Sequence, residues 1–243
     1  KILFFFFIIS DMSIIFSGER VATGLLIIFS FLFLFVNKYR IARIYSFLTV
    51  ITLVILISLF NTSIYDRMIK STFKLFGIEG INEIKNSKVY FFTPEHHSML
   101  VTSIKIVKDN ILFGHGLKSF KFLCSQEKYK TITYSSNEDN PDIGCSTHPH
   151  NIVLQILVEY GFFGLFFYLL IFYFLLKKII NLIIKINLNQ FEKNNIYIGE
   201  LLIYFGVFLN MFPVIPSGNI FNNWLSILFY LPIGFVIKTK TFK

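Results

Sequence analysis

Apolar residues gather into six blocks along the chain, at 2–16, 21–36, 44–60, 151–176, 196–212 and 221–237. Shorter connections separate them, except for the long interval 61–147, where polar and apolar residues are mixed. A helix needs about 20 apolar residues to cross the ~30 Å hydrocarbon core of a bilayer, and most of these blocks approach that length. The pattern predicts an all-α polytopic membrane protein with about six transmembrane helices and one large loop. The expected divisions are three helices in 1–60, the loop in 61–147 and three helices in 148–243, within a single membrane domain. The first block is short and reads as a clipped span, since the chain starts at Lys1 without a methionine. No small-residue cleavage site follows it, so it does not read as a signal peptide. The chain accordingly reads as the C-terminal part of a longer protein.

Composition agrees with a membrane class: 54% of residues are hydrophobic, 32 are Phe, and only 15% are charged. A net charge of +9 raises the question of a nucleic-acid partner, but the distribution answers it. Lys38, Arg40 and Arg43 follow the second block, Lys177, Lys178, Lys185 and Lys193 the fourth, and Lys238, Lys240 and Lys243 the sixth. The short connections on the opposite side carry only Arg20. This is the positive-inside distribution. It puts the C-terminus in the cytoplasm and the 61–147 loop outside, and it accounts for the basic excess without nucleic acid.

The loop is far longer than an ordinary connection, which marks it as functional. Within it, 65–76 reads as an interfacial helix with Lys70 and Lys74 on one face. Residues 98–109 read as an amphipathic helix with Leu100, Ile104 and Val107 inward and Lys105 and Lys108 outward. Gly114-His115-Gly116 then allows a tight turn, His115 serving a close backbone approach, and 135–146 is irregular. Both cysteines, Cys124 and Cys145, lie in the loop. An oxidising compartment and an even count point to a disulfide; two free thiols are the alternative, and geometry decides between them. There is no CxxC spacing to suggest a cysteine metal site.

The loop ends in Ser146-Thr147-His148-Pro149-His150-Asn151, where two histidines meet the start of an apolar block. Pro149 suits a first helical turn, with Thr147 or His148 as the cap. Asn151, Gln155 and Glu159 recur at i, i+4 and i+8 and so share one helical face. Glu159, an ionisable group inside an apolar block, has either a hydrogen-bonding or a catalytic role. For His148 and His150 three roles stay open: proton transfer, metal ligation with further partners, or helix capping alone. No Gly-rich loop with a following Lys and no carboxylate cluster points to a nucleotide or a magnesium ion.

His150-Asn151 is followed, after nine residues, by Gly161-Phe162-Phe163-Gly164. This resembles the signature of the O-antigen ligase and O-antigen polymerase superfamily, in which a histidine and a small polar residue precede a Gly-x-x-Gly inside a helix. Leu112-Phe113-Gly114-His115-Gly116 with Phe120, Ser17-Gly18-Glu19-Arg20 between the first two blocks, and Pro216-Ser217-Gly218-Asn219 before the last are similar to further family motifs, in family order. The resemblance implies a helical inner-membrane protein, related in architecture to polyprenyl-donor glycosyltransferases, that transfers glycans from undecaprenyl diphosphate on the periplasmic side without a cofactor. By position, His150 matches the catalytic base and Arg20 a diphosphate-binding arginine. Arginine's planar fork suits phosphate oxygens, and cationic donors stabilise a departing diphosphate. The family often has a second arginine upstream of the Gly-x-Gly turn. Thr93-Pro94-Glu95-His96-His97-Ser98 lacks one, so His97, His96 or Lys105 would make the second phosphate contact.

The resulting expectation is an inverting, metal-independent O-antigen ligase. The donor is an undecaprenyl-diphosphate-linked glycan, the acceptor a sugar hydroxyl on lipid A core, and the surroundings membrane lipids. His148, Asn151 and Gln155 would orient His150. Lys105, Lys108, Lys118 and Lys121 favour an acidic core acceptor. The alternatives are a polymerase, whose acceptor is a second lipid-linked glycan, a transporter of such glycans without chemistry, and an interaction subunit.

Overall fold

The computed structural model describes residues 2–17, 19–60, 66, 94–131, 144–188, 194–214, 218, 219 and a few isolated later positions. Every regular element among them is helical: α1 (Ile2–Ser17), α2 (Arg20–Phe33), α3 (Asn37–Phe60), α4 (Pro94–Asp109), the single turn α5 (Phe120–Leu123), α6 (Ile152–Leu188) and α7 (Asn194–Asn210). The expected interfacial helix at 65–76, the irregular stretch at 135–143 and the sixth apolar block fall almost wholly outside the described residues.

Two helices are long and apolar enough to cross a bilayer, Asn37–Ile57 and Ile152–Leu188, and only 17% and 22% of their most apolar windows are buried. The core helix of a soluble protein would be mostly covered; these present apolar side chains outward, as lipid-facing helices do. Phe4–Ser17, Val21–Phe33 and Ile196–Asn210 are shorter apolar helices. The chain divides into two compact units, one of Lys1–Lys74, Lys177–Leu209 and Phe235–Lys243, the other of Leu75–Leu176 and Asn210–Gly234. In the second unit the first part of α6 packs with the loop that precedes it.

In the first unit, α1, α2 and α3 pack around Phe7, Phe33, Val36 and Val50, all buried. α3 begins seven residues before its apolar block, and this changes the reading of Arg43. That residue is fully buried and is not a cytoplasmic surface charge. Its guanidinium donates to the Asp11 carboxylate at 2.7 Å and to the Ser30 hydroxyl. The rings of Phe7, Phe29 and Phe47 surround it at 5.0, 5.6 and 5.9 Å. Lys38 and Arg40 remain as the positive charges after α2. Asn187 near the end of α6 ties down the α2–α3 turn, donating to the Phe35 carbonyl at 2.8 Å and accepting from the Asn37 N–H at 3.0 Å.

A buried pair deprived of one partner costs about 3–5 kcal/mol, because the remaining charge is stranded, whereas replacing both with apolar groups is often tolerated. Asp11→Ala should therefore sharply lower the thermal stability of the detergent-solubilised protein, and Asp11→Ala with Arg43→Met should recover most of it. A double variant no more stable than Asp11→Ala would show that the pair is not what α1 and α3 depend on.

In the second unit, Ile106, Phe120, Cys124, Tyr129 and Val158 form a buried cluster. Cys124 and Cys145 are disulfide-bonded, with Cα atoms 5.1 Å apart. The inward face of α4 differs from the expected one: Ser98, Thr102 and Ile106 are fully buried, while Ile104 is 43% exposed. The reason is a close backbone approach. A Cβ at Gly144 would lie 2.5 Å from Thr102 Oγ1 and 2.7 Å from the Ser98 carbonyl oxygen, so only small side chains on α4 admit that stretch of chain. At the end of α4, Lys128 and Tyr129 both donate to the Asp109 carboxylate, Lys128 foremost in holding it below the usual carboxylate range. The cluster below is thereby closed.

Candidate active site

The turn into α6 is built by adjacent residues with different backbone preferences. Pro149 is rigid itself and restricts the residue before it, His148, to extended backbone. His150 then adopts φ +53, the left-handed region, which His tolerates better than most residues. Asn151 starts the helix: its Oδ1 accepts from the N–H groups of Val153 and Leu154 at 3.0 and 3.1 Å. The cap is thus Asn151, and neither Thr147 nor His148, and Pro149 precedes the helix. An asparagine carboxamide at this position accepts two N–H groups that have no partner within the helix. The signal was present in the sequence, as an Asn immediately before an apolar run.

This turn brings the imidazoles of His148 and His150 to 4.1 Å between ring centroids, with His96 from the first turn of α4 at 5.7 Å from His150. Ser146 Oγ lies 3.3 Å from His150 Nε2, and Thr147 Oγ1 lies 3.0 Å from His148 Nδ1. His148 is buried, while His150 is partly open. A cleft of about 580 Å³, including its open mouth, is lined by His96, His150 and Asn151 with aliphatic walls from Leu100, Leu154 and Pro213 among others. Asn151 Nδ2 donates to the Pro213 carbonyl at 2.9 Å, holding that wall to the helix start.

Below the cleft, Gln155 donates to Asn219 Oδ1 at 2.8 Å and to Glu159 Oε1 at 3.2 Å. Gln155 and Glu159 are each 1% exposed. The shared face expected for Asn151, Gln155 and Glu159 is there, but the amide contacts run to Pro213, Asn219 and Glu159 and not to the His150 ring. Asn151 fixes where the helix after His150 begins. Asn219 joins this ladder from the Pro-Ser-Gly-Asn motif, distant in sequence; the motif was visible, but its pairing with Gln155 was not.

Two residues beyond Glu159, α6 is interrupted at Gly161, whose φ of 63° and ψ of −160° are not helical. The break leaves carbonyls above it and N–H groups below it without helical partners, and the 111–116 loop supplies them. His115 and Gly116 donate to the Val158 and Glu159 carbonyls, each at 2.9 Å, and Phe162 and Phe163 donate to the Ile111 and Leu112 carbonyls at 2.8 and 3.1 Å. The two backbones touch, so both contact points are glycines. A Cβ at Gly161 would stand 2.4 Å from the Leu112 oxygen, and one at Gly114 would stand 2.6 Å from the Glu159 carbonyl carbon. His115 Nε2 donates to the Ile106 carbonyl at 2.9 Å and fastens the loop to α4.

The other candidate residues are placed differently. His96, rather than His97, lines the cleft. Lys105 is not at the cleft: its ammonium donates to the Lys130 carbonyl at 2.8 Å. Arg20 is the first residue of α2, in the other unit, and its side chain lies outside the described residues. The turn before it is held by the Glu19 N–H donating to Ser17 Oγ at 3.2 Å and by the Thr23 N–H donating to the Glu19 carbonyl at 3.0 Å. Among the described residues no three His, Cys, Asp or Glu side chains are arranged to hold a metal ion.

A Rickettsia conorii protein named as a polysaccharide ligase is 38% identical over 78 residues, 32% of this chain and 18% of that protein. The chain therefore aligns with less than a fifth of that relative's length. No solved structure matches the chain. The family profile described as O-antigen ligase matches residues 3–169, well over half of the chain, and that match takes in Arg20, the Gly-x-Gly loop, the His-Pro-His-Asn turn and Gly161. With its apolar helices and these motifs in this order, the chain belongs to the O-antigen ligase family.

Proposed function

We propose that the protein transfers a glycan from undecaprenyl diphosphate to a sugar hydroxyl on lipid A core at the periplasmic face of the inner membrane, with its C-terminus in the cytoplasm. The observation that carries this reading is the His150 imidazole, held by a capped helix start at the mouth of a cleft that is otherwise mostly aliphatic. His150 takes the proton of the acceptor hydroxyl as that oxygen attacks the anomeric carbon. The bond from that carbon to the diphosphate breaks, and attack opposite the leaving group inverts the configuration. Arg20 is assigned to the diphosphate by its place in the Ser-Gly-Glu-Arg turn, where a guanidinium suits phosphate oxygens. Of His97, His96 and Lys105, the candidates for the second phosphate contact, His96 is the one that lines the cleft beside His150 and is assigned to it. Cys124–Cys145 braces the segment that leads into the histidines.

The reaction so written uses a general base and cationic contacts only. Transfer measured with purified protein should persist in EDTA; activity lost to the chelator and restored by zinc or magnesium would make the histidines ligands. The acceptor is tested by the lipopolysaccharide of a deletion strain. Loss of a ligase leaves polymerised O-antigen on undecaprenyl diphosphate and none on lipid A core. A core bearing a single repeat unit would identify a polymerase instead.

A further inference from the structure

The loop that docks on the Gly161 break carries an unusual surface. Leu112, Phe113, Leu117 and Phe122 are 63, 69, 56 and 67% exposed, a large apolar area for a segment in water. Between Asn110 and Leu123 the only charges are Lys118 and Lys121; there is no carboxylate. The apolar surface is continuous with α6, because the Phe113 ring packs against Phe163 at 6.2 Å between centroids. From that point α6 turns outward, with Phe162, Phe163, Phe166 and Phe167 all 47% exposed or more. Before Gly161 the helix is different: Ile152, Gln155, Ile156, Val158 and Glu159 are all buried in protein.

We propose that residues 111–122 sit in the outer leaflet of the bilayer, with their apolar side chains among acyl chains and Lys118 and Lys121 at anionic headgroups. Irregular backbone is excluded from lipid unless its polar groups are satisfied by protein. Where the loop meets α6 its backbone is satisfied in this way, through the four bonds to α6, the Gly114 N–H donated to the Asn110 carbonyl at 3.1 Å, and the Gly114 carbonyl that accepts from the Asn110 side chain. The Ser119 and Phe122 N–H groups bond within the segment, and the remaining groups, the buried Ser119 hydroxyl among them, have the headgroup boundary at Lys118 and Lys121 beside them. Long basic side chains beside aromatic residues suit the headgroup boundary. The lipid boundary on this side then lies near Gly161. At 1.5 Å per residue that is roughly 14 Å along α6 from Ile152, so the histidine turn stands clear of the hydrocarbon and not at its edge. The helix is long enough for this: 37 residues span about 55 Å, against a hydrocarbon core of ~30 Å.

The test uses the chain's single tryptophan, Trp224. In a Trp224→Phe background, Phe113→Trp, Leu117→Trp, Phe122→Trp and, as a control, the exposed Glu127→Trp are reconstituted in vesicles of phosphatidylcholine and phosphatidylglycerol with or without brominated acyl chains. Emission from positions 113 and 122 should fall at least twofold in brominated lipid and resist aqueous acrylamide, while position 127 should show the reverse. Leu117→Trp substitutes for either reporter that fails to fold. Acrylamide quenching without lipid quenching at 113 or 122, or at 117 in its stead, overturns the proposal. Because the readout is depth and not transfer, it stands or falls apart from the assignment of His150.

Discussion

His150→Asn should lower glycan transfer by two to four orders of magnitude while leaving the protein at normal abundance in the membrane. Removing a general base costs about that factor, or roughly 3–5 kcal/mol of barrier. Asparagine is the informative replacement because His150 has φ +53, and Asn accepts left-handed backbone more readily than Ala. The turn into α6 is then kept and only the imidazole is lost. His148→Ala should be milder, since that ring is buried beside His150 and is not at the cleft wall. The measurement is single-turnover transfer by purified variants, with membrane abundance recorded in parallel. A His150→Asn protein that transfers at near-normal rate removes this residue from the chemistry.

Gly161→Val should prevent the second unit from forming. The valine Cβ would sit 2.4 Å from the Leu112 oxygen, against backbone that has no room to yield. A β-branched residue at φ +63 adds strain on the order of 1–3 kcal/mol. Pushing the loop away would also break the four backbone bonds, each contributing about 1 kcal/mol and costing more when its groups are left unpaired away from water. Gly116→Ala is the matched comparison. It has φ +92 but nothing within 4 Å of the added Cβ, so it suffers the backbone strain alone. Abundance and resistance to protease in isolated membranes should fall severely for Gly161→Val and modestly for Gly116→Ala. Equal effects would mean that the close approach of loop and helix is not what the fold requires.

The apolar blocks were legible because lipid imposes one rule on every residue it touches, and that rule is local. Length and hydropathy alone located α1, α2, α3, α6 and α7 to within a few residues at most ends. Their polar flanks were not so readable. α3 takes in Asn37 to Arg43, because a charge such as Arg43 is acceptable inside a bundle once Asp11 faces it, and α6 continues past Lys177 to Leu188, where Lys178 pairs with Glu200. The inward face of α4 was misread for a related reason. Burial there follows the backbone approach of Gly144 and favours Ser98 and Thr102 over Leu100 and Ile104.

For the site, the sequence determined which residues are candidates for chemistry: the His-Pro-His-Asn turn, the Gly-x-Gly loop, Gly161 and the arginine that opens α2 all stand in plain view, because each needs a residue type that few others replace. Only the tertiary structure decided what these residues do to one another. It made Asn151 the cap, brought His96 instead of His97 to the cleft beside His150, bound Lys105 to a distant carbonyl, and joined the loop to the break in α6. Most of those outcomes depend on contacts between segments tens of residues apart. Periodicity and spacing report only the nearest turns of chain, so they are silent about such contacts.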